Sequence, residues 1–382
     1  MLLIIIKYLA SLSFSHQTYL LIVFFIITIT GYYNDHHYHY GYHVYAAAVA
    51  AKFDPQWGRD HFEDVMLYIR DFANPFEDDK YFPQYRSKDW FLGSSWASGI
   101  ISAENSPHGR NEESSSEAIS AYEGVTLYGS AMVDAFSAAM AGPSSSSSED
   151  DDDKDNWKKS LETAKLIRDS GQLLTSTEIA ATNRYWHVWS SDTHNNTYPK
   201  EYIQPVVGML YDTMATFQTW CVALEYPCSL SWFFFTLFLT IVIFCFLVWN
   251  HRFSSWAVVS MGIQLIPLTP VAETRDDIDW ATMMYPKYDK ACKDAGDFCI
   301  DNGWSILQAG LLATSMPTNT TNTSTGTSSE DTKDTHSEAL KQALAVPHKV
   351  FKTDGGVGNS LSNTIWYIAT RKKNISTNNR QS

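Results

Sequence analysis

The sequence predicts an all-α fold, and three observations carry that expectation. Apolar residues recur three or four positions apart along several stretches, the period-two alternation of strands is scarce, and hydrophobic residues make up 45% of the 382, enough for a sizeable core. Taken in order, residues 43–53, 118–141, 157–170, 176–182 and 206–220 suit helices, with long loops between them.

Four stretches interrupt this pattern. Residues 1–30 are apolar, and the charge-free run from Tyr19 to Thr30 has the length of a signal-peptide core. Residues 228–249 contain no charge and qualify by length and hydropathy as a transmembrane helix. A true span there would put two halves of one packed core on opposite sides of a membrane, which speaks for a foreign insert such as a translated intron. Residues 143–154 are Ser-rich and then acidic, and 314–337 are rich in Thr, Ser and Asn. Neither stretch can bury enough apolar area to offset chain entropy, so both are expected as loops. The organisation expected is therefore an apolar segment at 1–30, a helical domain in two parts at 31–220 and 261–371, an apolar insert at 221–260, and a tail at 372–382. Secretion or membrane association follows from the apolar segments; oligomeric state is not set.

The formal charge of −14 repels phosphate backbones and argues against a nucleic-acid partner. Five cysteines form no CxxC pair, which disfavours a zinc ribbon or redox motif. Cys292 and Cys299, seven apart in a polar stretch, can bridge in an oxidising compartment. Aromatic residues are abundant, with 13 Trp, 21 Tyr and 20 Phe. They suit a large core, or a cleft that stacks on flat ligand faces.

Three clusters carry chemistry. In Y32-YNDHHYHYGY-H43, helical spacing puts Asp35, His39 and His43 on one face, and tyrosines such as Tyr33 supply stacking rings and hydroxyls. His39 and His43 also have the i, i+4 spacing of metal ligands, although no Glu of an HExxH motif lies between them. The segment FPQYRSKDWFLGSSWASG mixes aromatics, charges and glycines as a cleft wall or an Ω-loop would, with Asp89, Trp90 and Trp96 as candidate contacts. In NEESSSEAISAYEG, Glu113 precedes a helix start whose dipole favours its ionised form. Glu117 either closes a capping box with Ser114 or joins a site, and Tyr122 follows on the same helix. Glycoside hydrolysis needs one protonated and one ionised carboxyl group, and Asp35 among its rings is the better candidate for the protonated one.

These segments, with TSTEIAATNRYW, VVGMLYDTMATFQTW, GIQLIPLTP and NSLSNTIWYIATR, occur in the order in which they occur in glycoside hydrolase family 81, the endo-β-1,3-glucanases. The chain resembles that family over most of residues 31–371 outside the inserts. The resemblance implies an (α/α)6 barrel catalytic domain, hydrolysis of β-1,3-glucan with inversion, and no cofactor or metal. It implies Asp35 as general acid, Glu113 as base, Glu117 as a member of the same site, and His39 as a substrate contact. The chain departs from the family pattern at Ser94, where His is usual, and at Ser120, where Asn is common. The family's β-sandwich, which precedes the catalytic domain, has no counterpart in the sequence. Two other readings of the same residues are a glucan-binding pseudoenzyme and a membrane-anchored metal hydrolase using the His cluster.

Overall fold

The structure, a computed structural model, describes residues 33–100, 107–141, 149–189, 197–219, 256–315, 335–352 and 359–371. The apolar stretches at 1–30 and 228–249 lie outside them, and no helix among the described residues is long and apolar enough to cross a membrane. The fold is mostly helical, as expected.

Helices α1 (His36–Phe53), α2 (Pro55–Asp60) and α3 (Phe62–Ala73) lead to the long α4 (Ser115–Ala141) and α5 (Glu149–Tyr185). A helical stretch at 256–262, α6, is followed by α7 (Ala272–Arg275), α8 (Ile278–Ala295), α9 (Asp297–Asp301) and α10 (Trp304–Thr314). The last three are α11 (Thr335–Ala345), α12 (His348–Lys352) and α13 (Leu361–Thr370). Start signals explain several of these elements. The Asp54 carboxylate accepts the N–H of Trp57 at 3.0 Å just ahead of Pro55, and Asp277 likewise accepts from Asp279 and Trp280 to open α8. Gly296, at a φ of 56°, ends α8 where a side chain would be strained.

Two large apolar cores result among the described residues. One packs Val44, Ala48 and Ala51 of α1 with Ile69 and Phe72 of α3, Tyr122, Val125 and Met132 of α4, and Ile167 of α5. The second gathers Trp280, Met284 and Tyr288 of α8 with Val258, Leu268, Leu307 and Tyr367. At Gly41 the chain needs a glycine: a Cβ there would collide with Cβ of Ala121, so α1 and α4 touch almost backbone to backbone.

The structure corrects several boundaries. α1 begins seven residues before the expected 43, because the His-Tyr run itself is helical from His36. The segments expected at 157–170 and 176–182 are one helix, α5. There the hydroxyls of Thr175, Ser176 and Thr177 bond back to carbonyls four residues earlier, so these residues do not break it. Helix also begins at Glu149, inside the stretch expected as a loop; acidic residues are favoured at helix starts.

The helix expected over 206–220 is instead a hairpin, β4 (Met209–Tyr211) and β5 (Ala215–Thr216), with β4 paired to β3 (Asn111–Glu112). Tertiary pairing overrides the helical spacing here: Tyr211 N–H closes the turn on Met214 O, and Gly208 N–H reaches Thr216 O. A second small pair, β1 (Lys88–Asp89) with β2 (Ser94–Ser95), carries the FPQYRSKDWFLGSSW segment. Cys292 and Cys299 are joined in a disulfide, with Cα atoms 5.3 Å apart.

Candidate active site

Asp35 occupies the N-cap of α1 but does not cap it. Its backbone lies in the left-handed region at φ 58°, its N–H donates to Ala97 O at 2.9 Å, and its side chain makes no capping bond. Asp normally lends its carboxylate to the first helical N–H groups. Here the twisted backbone turns the group away, to receive the Asn34 amide at 2.8 Å. Burial raises its pKa to about 6. His37 pulls the value down and Glu117 pushes it up. Between about pH 4 and 6, then, this carboxyl keeps its proton where an ordinary aspartate has largely lost it.

One face of α1 then reaches α4. Asp35, Tyr38 and Tyr42 follow at intervals of three and four, so they project along the same side. The Tyr38 hydroxyl accepts the N–H groups of Ser114 at 2.9 Å and Glu113 at 3.3 Å. One turn on, the Tyr42 hydroxyl donates to Glu117 Oε1 at 2.8 Å. Burial raises the Glu117 pKa, opposed by hydrogen bonds from Ser114 and Tyr42.

The serine run explains how the opposite wall is held. Ser114 and Ser116 both donate to Ile263 O at 2.9 Å, and Ser115 donates to Gln264 Oε1 at 2.8 Å. Gln264 returns its amide to Glu113 O at 2.6 Å. So the three serines dock the start of α4 on the turn after α6. Ser114 uses its hydroxyl in that contact, which makes it more than a helix cap.

A hollow of about 260 Å³ opens beside these groups, lined by Tyr38, Tyr42, Glu117, Pro267, Asn359 and Asn363 among others. Three larger hollows, of about 510, 760 and 790 Å³, contain none of Asp35, Glu113 and Glu117, and the smaller one is lined by Glu117 but by neither Asp35 nor Glu113. Glu117 and its Tyr42 partner, rather than size, mark the smaller one as the hollow nearest the candidate site.

The other expected contacts divide. Tyr33 and Trp90 are about half exposed, and His39 is exposed, so each has surface to offer a ligand. Trp96 and Tyr122 are buried and hold neighbouring side chains. The Trp96 indole N–H donates to Asp89 at 3.0 Å with Arg110 over its ring, and the Tyr122 hydroxyl meets Ser95 Oγ at 2.7 Å. Asp89 also receives the N–H groups of Phe91 and Leu92, so it shapes the β1–β2 turn.

The histidines diverge and do not converge on a point. His36 bonds Asp71, His37 bonds Glu112, and His43 turns Nδ1 to the His39 carbonyl while stacking on Tyr68. Among the described residues no group of three His, Cys, Asp or Glu is placed to hold a metal ion.

Sequence reading missed two acids. Glu112 is buried against His37, and Glu178 of α5 is buried against Lys88. In sequence Glu112 looks like a twin of Glu113, and Glu178 is a lone acid in a Thr/Ser-rich helical stretch. Only the strand pairing of β3, which turns alternate residues inward, marks Glu112.

Residues 29–144, which contain both carboxyl-bearing segments, match the Glycosyl hydrolase family 81 C-terminal domain. Over these residues the chain is similar to glycosyl hydrolase family 81. Among its relatives, a glucan endo-1,3-beta-D-glucosidase from Glycine max is 27% identical over 352 residues, 89% of this chain and 38% of the relative. One of the same name from Acetivibrio thermocellus is 36% identical over 180 residues, 47% of this chain and 19% of the relative. The chain thus spans well under half the length of these relatives. A solved family 81 glycoside hydrolase from Clostridium thermocellum matches 88% of this chain and 34% of its own, with a TM-score of 0.53 at 22% identity, a likeness of fold.

Proposed function

We propose that this chain hydrolyses internal β-1,3-glucosidic bonds of β-1,3-glucan by an inverting acid–base mechanism, within the (α/α)6 barrel that the family resemblance implies. The observation that carries the reading is Asp35, a carboxyl held protonated to about pH 6 on the same helix face that grips the start of α4. A proton donor facing a carboxylate-bearing helix start is the arrangement glycoside hydrolysis requires.

In this reading Asp35 protonates the departing glycosidic oxygen as the C–O bond breaks. Glu113 takes a proton from water as that water attacks the anomeric carbon from the opposite face. Its place at the positive end of α4 favours the ionised form that a base needs. Glu117, tethered by Tyr42, steadies the water or the sugar; Tyr33, His39 and Trp90 supply the exposed surface for flanking glucose rings. No step calls for a metal or cofactor. The buried Cys292–Cys299 bridge favours an oxidising compartment, and secretion fits it.

Proton NMR of laminarin hydrolysis tests the stereochemical part. The α-anomer should appear first, with short oligosaccharides as products, and EDTA should leave the rate unchanged. A β-anomer appearing first contradicts inversion, and loss of activity on chelation, restored by zinc, contradicts metal-free chemistry.

A further inference from the structure

Glu112 belongs to neither the acid nor the base of this reading, yet it lies fully buried between the two segments that carry them. His37 of α1 places Nε2 at 3.1 Å from its Oε1. Tyr38, the next residue of the same helix, also hydrogen-bonds this carboxyl, while the Tyr38 hydroxyl accepts the N–H groups of Glu113 and Ser114. His37 and Tyr38 are the second and third residues after Asp35. Glu112 directly precedes Glu113 and is held in β3 by its pairing to Leu210.

We propose that Glu112 is a positioning residue: through His37 and Tyr38 it fixes the start of α1, with Asp35, against the start of α4, with Glu113. A buried side chain bonded to α1 and carried by the residue before Glu113 transmits any change in its own length to both carboxyl groups. Inversion needs them about 6.5–9.5 Å apart with room for one water, so small displacements matter. Burial is consistent with a link carrying no net charge: it raises the Glu112 carboxyl well above its usual value and lowers His37 to about 4, leaving a neutral acid beside a neutral imidazole. A neutral hydrogen-bonded pair is the form in which two such groups are least costly to bury.

The inference rests on the acid–base reading above, and two readouts separate their fates. The first is steady-state turnover of laminarin by the full chain and its Glu112→Ala and Glu112→Gln variants. Glu112→Ala should lower kcat on the order of a hundredfold while KM stays within about threefold, because misplaced groups cost the transition state more than they cost binding. Glu112→Gln keeps a planar group with a donor and an acceptor, and should recover to within about fivefold of the parent.

The second readout needs no activity: the carbon-13 titration of the Asp35 carboxyl, which Asn34, His36, His37 and Glu117 face. Its midpoint near 6 should fall toward that of an ordinary aspartate in Glu112→Ala, as the turn loosens and water enters, and should hold in Glu112→Gln. If Glu112→Ala does not fold, Tyr38→Phe cuts the same link without changing shape, and should lower both kcat and the Asp35 midpoint. A variant set that loses thermal stability but keeps kcat and the Asp35 midpoint overturns the proposal. So does Glu112→Gln as inactive as Glu112→Ala, because the charge rather than the link would then be what matters. If the parent chain does not act on laminarin, the glucanase reading falls, and the titration alone decides whether Glu112 positions Asp35.

Discussion

Tyr42 on α1 donates its phenolic proton to Glu117 on α4 across 2.8 Å, joining the helix that begins at Asp35 to the one that begins beside Glu113. The bond favours the ionised form of a carboxyl whose pKa burial raises. Tyr42→Phe removes that donor and keeps the ring. A hydrogen bond to a charged group contributes about 1.5–3 kcal/mol, so kcat/KM on laminarin should fall on the order of ten- to a hundredfold. Unchanged kinetics would remove Glu117 from the site.

Asp35 makes stability and activity depend on pH in the same direction. Its folded-state pKa, about 6, lies above the ordinary 3.8, so the folded protein binds the proton more tightly than the unfolded chain does. Below about pH 4 there is no penalty; as pH rises from there through 6 the fold loses up to about 3 kcal/mol. Asp35→Asn carries no charge at any pH. It should therefore raise the melting temperature at pH 7.5 and leave it nearly unchanged at pH 4. The parent's turnover should decline on the alkaline side as the acid loses its proton. Equal melting temperatures of the two proteins at pH 7.5 would contradict a buried, destabilised carboxylate.

Lys88 and Glu178 form an ion pair with neither side chain exposed, and Ser95 contributes both its N–H and its hydroxyl to the same carboxylate. The pair ties the β1–β2 segment to α5 behind Tyr122. Glu178→Ala leaves a buried ammonium unpaired and should cost about 3–5 kcal/mol in urea unfolding. Replacing both residues with Met should cost much less, since the loss comes from the orphaned charge. A small loss in the single variant would mean that water reaches Lys88.

What was legible in the sequence follows from what short range determines. Helical spacing located α1, α4 and α5, and a loop of seven located the Cys292–Cys299 bridge, because both depend on near neighbours. Asp35 stood out as a carboxyl among rings, and its left-handed backbone explains why it does not act as a cap. The 206–220 segment was misread because its apolar spacing fits a helix, while its partner strand lies about a hundred residues away at Asn111–Glu112. Whether the rings of Trp96 and Tyr122 meet solvent or protein is also a long-range property: Arg110 lies over Trp96, and Tyr122 is fully buried. Glu112 and Glu178 went unseen because what distinguishes them is the burial of both partners, a long-range property.

The most direct test is the initial rate of laminarin hydrolysis by the Asp35→Asn chain beside the parent at pH 5.5, with glucan affinity measured on the same preparations. The amide preserves the shape of the acid and cannot deliver a proton to the leaving oxygen. The account predicts that turnover falls about 10²–10⁴-fold while affinity stays within about threefold. Turnover within tenfold of the parent would contradict the assignment of Asp35 as the general acid, and with it the proposed acid–base mechanism.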